Sequence, residues 1–158
     1  MTTMTETLES AYRQHADELI RFATTMVGPN DASDVVTDAM VAAFARNDDL
    51  SHVANTRAYL FRAVHNRIVD VSRSRSRRER REARYELSRR PATAPPDSSL
   101  DARAALVELS EQQRAATFMA YWCDMSPAEI AAALDVTEGT IRKQLSRARA
   151  RLREVLDV

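Results

Sequence analysis

The chain carries few groups that can do covalent or metal chemistry. His15, His52, His65 and Cys123 are its only soft ligands, and none falls at a zinc-like spacing. Cys123 follows Trp122 and has no second thiol to resolve an oxidised form, so it is expected as a core thiol. What the chain has in quantity is guanidinium. From Ile141 to Arg153, IRKQLSRARARLR, there are six basic side chains and no acidic one. Arg presents a planar fork of donors that meets phosphate or a guanine edge with two bonds at once. The chemistry to expect is recognition of a polyanion, with no catalytic residue, no cofactor and no metal.

Those residues need a helix and a partner helix to aim it. Ser126-Pro127-Ala128-Glu129 is a helix start: Ser126 caps, Pro127 suits the first position, and Glu129 closes a capping box. Ile130, Ala131 and Leu134 give it one apolar face. Asp135-Val136 breaks it, and Thr137 is an N-cap for the next helix. At 100° per residue, Ile141, Leu145, Ala148 and Leu152 fall together and face inward. Lys143 and Arg147 point nearly opposite, with Ser146 between them. Arg142, Arg149 and Arg153 line one flank and Arg151 the other. A capped helix, a short turn and a helix dry on one side and cationic elsewhere suit the major groove of DNA better than a merely solvated face.

The composition is that of an all-α protein: two glycines, five prolines, and many Ala and Arg. A net charge of zero hides an uneven distribution. Residues 1–72 carry six basic and ten acidic side chains, residues 73–90 nine and three, and residues 91–158 eight and ten. Two basic segments therefore sit in a neutral whole. No apolar run has membrane-spanning length and no secretory leader is visible, so a cytoplasmic protein without membrane insertion is expected.

From the N-terminus, Leu8, Tyr12, Leu19, Phe22 and Met26 mark an amphipathic helix over Thr7–Val27, stopped by Gly28-Pro29. Asp31 is placed to cap a second helix carrying Val35, Val36, Ala39, Met40, Ala43 and Phe44. Residues 47–56 read as a polar loop, after which Thr56 or Asn55 caps a third helix. Its apolar stripe is Leu60, Val64, Ile68 and Val71. Its second stripe, about 200° away, is Arg62, Asn66, Asp70 and Arg73. The Arg-rich run that follows prolongs this helix, with Glu79, Glu82 and Glu86 set to pair with arginines one turn away. Pro91 to Ser99 is a linker by composition, and residues 88–100 reach at most ~45 Å. Helical pattern resumes over Leu100–Leu109. Ser110 and Gln113 make a second capping box, for a helix that turns Ala115, Phe118, Met119, Trp122 and Met125 to a core.

Two Arg-bearing helical modules joined by a Pro-rich strap resemble the smallest bacterial sigma factors, the extracytoplasmic-function group of the sigma-70 family. The first module is matched by Asp34, Leu60, Phe61, Asn66 and Asp70. The second is matched by Leu109, Gln113, Ser126, Glu129, Ile130, Ala131, Leu134, Gly139, Thr140, Arg147, Ala148, Arg149, Leu152 and Arg153. The resemblance implies sigma region 2 over 7–87, a linker over 88–100 and sigma region 4 over 101–158. It implies a specificity subunit of core RNA polymerase, bound through the β′ and β subunits, that recognises promoter DNA and is held by an anti-sigma factor. By resemblance, Asp34, Asp38, Met40 and Phe44 dock on the polymerase. Arg62, Asn66, Asp70 and Arg73 recognise the minus-ten element, with residues 47–56 as the loop that receives a flipped base. Glu138, Thr140, Arg142, Lys143, Ser146, Arg147, Arg149 and Arg151 contact the minus-thirty-five element.

The chain departs from the family pattern at several places. Thr37, Asp38, Met40, Tyr59 and Gln144 stand where Gln, Glu, Phe, Trp and Arg are usual, and Asp135 stands where the turn usually has Gly. The rival reading is a stand-alone helix-turn-helix regulator whose N-terminal half dimerises or senses a ligand, binding a two-fold symmetric operator without polymerase.

Overall fold

Local capping sets most of the helix starts. Thr7 Oγ1 accepts from the Ser10 amide at 3.1 Å and opens α1, Leu8–Val27. Gly28 ends it at φ 91°, a left-handed-side conformation that glycine adopts without a Cβ clash. α2, Pro29–Arg46, begins at once, with Pro29 where a missing amide costs nothing. Asp31, expected as its cap, lies instead in its first turn and pairs with Arg75. Asn55 rather than Thr56 supplies the cap of α3, Thr56–Glu82, its Oδ1 accepting from the Ala58 amide at 3.0 Å.

In this computed structural model residues 7–46, 50, 53–82 and 104–156 are described, and among them the chain is all-helical. Half of the 47–56 loop, the linker and the start of the Leu100–Leu109 pattern lie outside those residues. Of the last, 104–107 are helical. α4, Glu111–Tyr121, and α5, Pro127–Leu134, each carry a complete capping box, Ser110 with Gln113 and Ser126 with Glu129. The box also holds the Glu129 carboxyl below its usual range, chiefly through the Ser126 amide. α6, Glu138–Leu156, follows a three-residue turn, Asp135 to Thr137, in which Asp135 sits at φ 56°.

The apolar stripes meet as the periodicity requires. Leu60, Phe61, Val64 and Ile68 of α3 are at most 1% exposed, as are Leu19 and Phe22 of α1. Burying a side chain of this size contributes about 1.5–3 kcal/mol. Phe22 meets the Phe61 ring edge-on at 5.4 Å and also the Phe118 ring of α4 at 5.7 Å. The two modules are therefore not merely tethered. Buried residues from Leu8 to Leu145 form one continuous core, and α5 lies against α3. A smaller cluster of Leu106, Leu109 and Ala148, with Leu152, fixes the far end of α6.

One expected core residue lies elsewhere. Trp122 is 55% exposed and stacks flat on Phe118 at 5.6 Å, because α4 ends at Tyr121 and the chain turns through Asp124 at φ 53°. Cys123 is buried as expected, and burial pushes its thiol up to about 12.

Candidate nucleic-acid interface

Ile141, Leu145 and Ala148 are buried, which fixes the rotation of α6 and leaves Arg142, Lys143, Ser146 and Arg147 exposed together. Thr137 Oγ1 accepts from the Thr140 amide at 3.2 Å and lies 2.8 Å from Thr140 Oγ1, so Thr140 is held at the helix start. Glu138 is half-buried and takes Arg142 at 2.5 Å. Lys143 and Arg147 have no ion-pair partner among the described residues. Arg151 is divided between Glu154 at 3.0 Å and Glu108 at 3.3 Å. Arg149 and Arg153 part from the others. They line an apolar groove of about 400 Å³ with Leu106, Tyr121, Trp122, Leu152 and Leu156.

Gln144, between the exposed basic residues, faces the protein. Its amide donates to Gln112 at 2.9 Å and its carbonyl accepts from Gln113 at 3.1 Å, fastening α6 to α4. Arg114 is a second positioning residue. Its guanidinium donates to the carbonyls of Leu106, Val107 and Leu109, closing the end of the 104–107 helix, and burial lowers its pKa. Neither role was legible beforehand, because each depends on helices meeting rather than on local pattern.

In the first module Arg62, Asn66, Asp70 and Arg73 are all exposed along α3, as the wheel requires. Arg62, Asn66 and Asp70 line a cleft of about 550 Å³ between α2 and α3, together with Arg46 and Tyr59. Arg73 is not among its lining residues. Asp38 lines the same cleft and pairs with Arg67 at 3.3 Å. On α2, Asp34 is exposed and Phe44 is 40% exposed. Met40 is not available for docking: it is 4% exposed and belongs to the core. The exposed apolar partner of Phe44 is Val41, 62% exposed. At 100° per residue Met40 shares the inward face of Val36 and Ala43, and that periodicity was the signal that could have excluded it.

The two modules touch through polar contacts as well. Arg57 of α3 donates to both carboxylate oxygens of Glu18, at 3.0 and 2.5 Å, and to the Cys123 carbonyl across the seam. The Glu18 bonds hold Arg57 firmly protonated against its partial burial. Arg62 meets Asp135, in the turn between α5 and α6, at 3.1 Å. His65 is 9% exposed with Nε2 unpartnered, and burial lowers its pKa despite Glu111.

A helix-turn-helix with a free cationic face, packed on a helical bundle with a polar cleft, defines a DNA-binding protein of two helical modules. Family models for Sigma-70 region 2 and Sigma-70 region 4 match residues 11–78 and 99–152. An RNA polymerase sigma-E factor of Streptomyces avermitilis is 33% identical, covering 94% of this chain and 84% of its own. The ECF RNA polymerase sigma factor SigL of Mycobacterium tuberculosis is 31% identical, covering 94% and 88%. Among solved structures, the sigma factor RpoE of Bartonella quintana, in complex with the anti-sigma factor NepR, superposes with a TM-score of 0.79 at 28% identity. It covers 95% of this chain and 96% of that one. CnrH, in complex with the cytosolic domain of CnrY, gives 0.70 at 26%, covering 95% and 87%. The chain belongs to the extracytoplasmic-function group of the sigma-70 family. It is a sigma factor, which binds core RNA polymerase and directs transcription initiation, and it is not an enzyme.

Proposed function

We propose that this sigma factor reads two promoter elements with the two faces described above. Arg142, Lys143, Ser146 and Arg147 face the bases of the minus-thirty-five element, with Glu138 and Thr140 at the entry of the helix. Arg149 and Arg151 hold phosphates. Arg62, Asn66, Asp70 and Arg73 read the minus-ten element, and the α2–α3 cleft beside Arg62, Asn66 and Asp70 is where a base leaving the stack is received. Extruding a base costs a few kcal/mol, which contacts to its exposed edge must return. The observation that carries this reading is the shared exposure of Lys143, Ser146 and Arg147 on a helix whose opposite face is buried.

Asp34, Asp38, Val41 and Phe44 of α2 form the surface that meets the polymerase. Region 2 extends over 7–87, the linker over 88–100 and region 4 over 101–158. An anti-sigma protein is a second partner, as for the RpoE of Bartonella quintana above, which is in complex with the anti-sigma factor NepR. The protein works in the cytoplasm; no helix among the described residues is long and apolar enough to cross a membrane.

Adding the purified chain to core polymerase on genomic DNA and sequencing the transcripts tests the whole reading. The expected result is a small set of new start sites sharing two upstream elements. Unchanged start sites, with the chain folded and no inhibitor bound, would overturn it. Binding to a symmetric operator without polymerase would favour the rival regulator.

A further inference from the structure

The apolar groove at the far end of α6 holds about 400 Å³ and is walled by Ala105, Leu106, Tyr121, Trp122, Leu152 and Leu156. Thr117 lines it too, and is unlike these neighbours. It is 2% exposed, and its Oγ1 has no hydrogen-bond partner among the described residues. Buried hydroxyls are nearly always paired, so an orphan beside a cavity marks a place for a partner that the chain does not supply. Arg149 and Arg153 line the same groove, are exposed, and have no ion-pair partner among the described residues. None of the lining residues is acidic. A mostly apolar pocket of this size with a few convergent polar groups is the usual form of a small-molecule site.

The groove has two unlike ends. Gln113 of α4 and Gln144 of α6 are bonded at 3.1 Å, and both helices run from there toward the groove. Thr117 lies four residues beyond Gln113 and Arg149 five beyond Gln144. At 1.5 Å per residue both come roughly 6–8 Å further on, at the same end of the groove. Tyr121, Trp122 and Leu156 come later along both segments. The near end is therefore polar and the far end apolar, with Arg153 on the flank. From Arg149 to Leu156 the helix rises ~10 Å. An extended chain advances ~1.2 Å per bond, a third of the residue repeat, so about eight to ten carbons span that length.

We propose that this groove is a binding site for a medium-chain carboxylate, its head group at Thr117 and Arg149 and its tail along Leu152, Trp122 and Leu156. The Thr117 hydroxyl donates to one carboxylate oxygen and the Arg149 guanidinium to the other, a charge-assisted pair. Arg153 adds positive potential from the flank. The same ligand is a negative effector of upstream-element binding, because a guanidinium held by a carboxylate in the groove is withdrawn from the DNA phosphate. That coupling, unlike the site itself, rests on the two-element reading above.

Calorimetric titration of the full chain with decanoate, below its micelle-forming concentration, tests the site. Half-saturation is expected on the order of 0.1–1 mM, within the efficiency open to a molecule of this size. Decanol, which lacks the charge, is expected to bind about tenfold more weakly, and decyltrimethylammonium not detectably. Thr117→Val keeps the shape and removes the hydroxyl. It is expected to weaken decanoate about fivefold, to leave decanol unchanged, and to melt no lower than the parent, because no hydrogen bond is lost. Arg149→Gln is expected to weaken decanoate about tenfold. Equal affinity for decanoate and decanol would overturn the site. No binding of any of the three would overturn it as well, and leave the groove to a protein partner. With core polymerase bound, at matched ionic strength, saturating decanoate is expected to lower affinity for duplex carrying the upstream element about twofold to fivefold. It should also reduce the salt dependence by about one ion. Selective decanoate binding with duplex affinity unchanged would overturn the effector role. Loss of promoter-directed transcription by the parent chain without ligand would instead strike the two-element reading.

Discussion

Met40 and Val41 are neighbours in sequence with opposite fates, and the pair makes a sharp test. Met40 is 4% exposed within the core formed by α1, α2 and α3, while Val41 is 62% exposed on the surface assigned to polymerase docking. Truncating a buried methionine costs about 2–5 kcal/mol through lost burial and the cavity left behind. In a chain of this length each kcal/mol lowers the melting temperature by roughly 2–4 °C, so Met40→Ala should lower it by ~4–20 °C. The fraction that stays folded should bind core polymerase within about twofold of the parent, because nothing it presents has changed. Val41→Asp should do the reverse. An exposed substitution shifts stability by about ±0.5 kcal/mol, yet a carboxylate in an apolar contact should weaken polymerase binding about tenfold, or ~1.4 kcal/mol. The assays are calorimetric melting and titration of labelled core polymerase at a temperature where both variants are folded. If Met40→Ala melted with the parent but lost tenfold in polymerase affinity, the assignment of inside and outside on α2 would be wrong.

Arg147→Ala should lose about 1–3 kcal/mol of discrimination at one base pair of the upstream element. Equal losses on matched and scrambled duplexes would remove Arg147 from base reading. Arg151→Ala should weaken binding evenly across sequences and flatten its salt dependence by about one ion; a sequence-dependent loss would contradict that. Ser126→Ala breaks one capping box, with both of its bonds at 3.2 Å, and should cost ~1 kcal/mol of stability in thermal unfolding. His65 gives a pH dependence with a definite sign. Burial lowers its folded pKa, so the unfolded chain takes the proton first as pH falls. Its contribution to stability is complete above about pH 6.5 and declines as pH drops below that value toward the folded pKa. Denaturant titrations from pH 7.5 to 5 should show this slope in the parent and a shallower one in His65→Gln; identical slopes would exclude it.

Local signals in the sequence located most helices to within a residue or two. Ser110, Ser126, Thr137 and Gly28 act through their own neighbours, so their roles are written in short stretches of chain. The rotation of α6 was equally legible, since Ile141, Leu145 and Ala148 leave one solution for what faces out. What could not be read was anything that depends on two distant segments meeting. Arg57 finds Glu18 thirty-nine residues earlier and Cys123 sixty-six later, and no periodicity encodes that. Gln144 looked like a variant at a base-reading position until α4 supplied Gln112 and Gln113 to receive it. Trp122 carried every mark of a core residue, yet it falls one position beyond the end of α4. Met40 shows the opposite failing: resemblance placed it outside, while its own helical phase placed it inside.

The placement of Trp122 has a practical consequence. It is the chain's only indole, with one face covered by Phe118 and the apolar groove beside it. Its emission is thus an intrinsic optical probe. Any protein surface that settles into that groove takes the ring out of water, and the spectrum should move to shorter wavelength. Association at this face can be titrated on native, unlabelled protein.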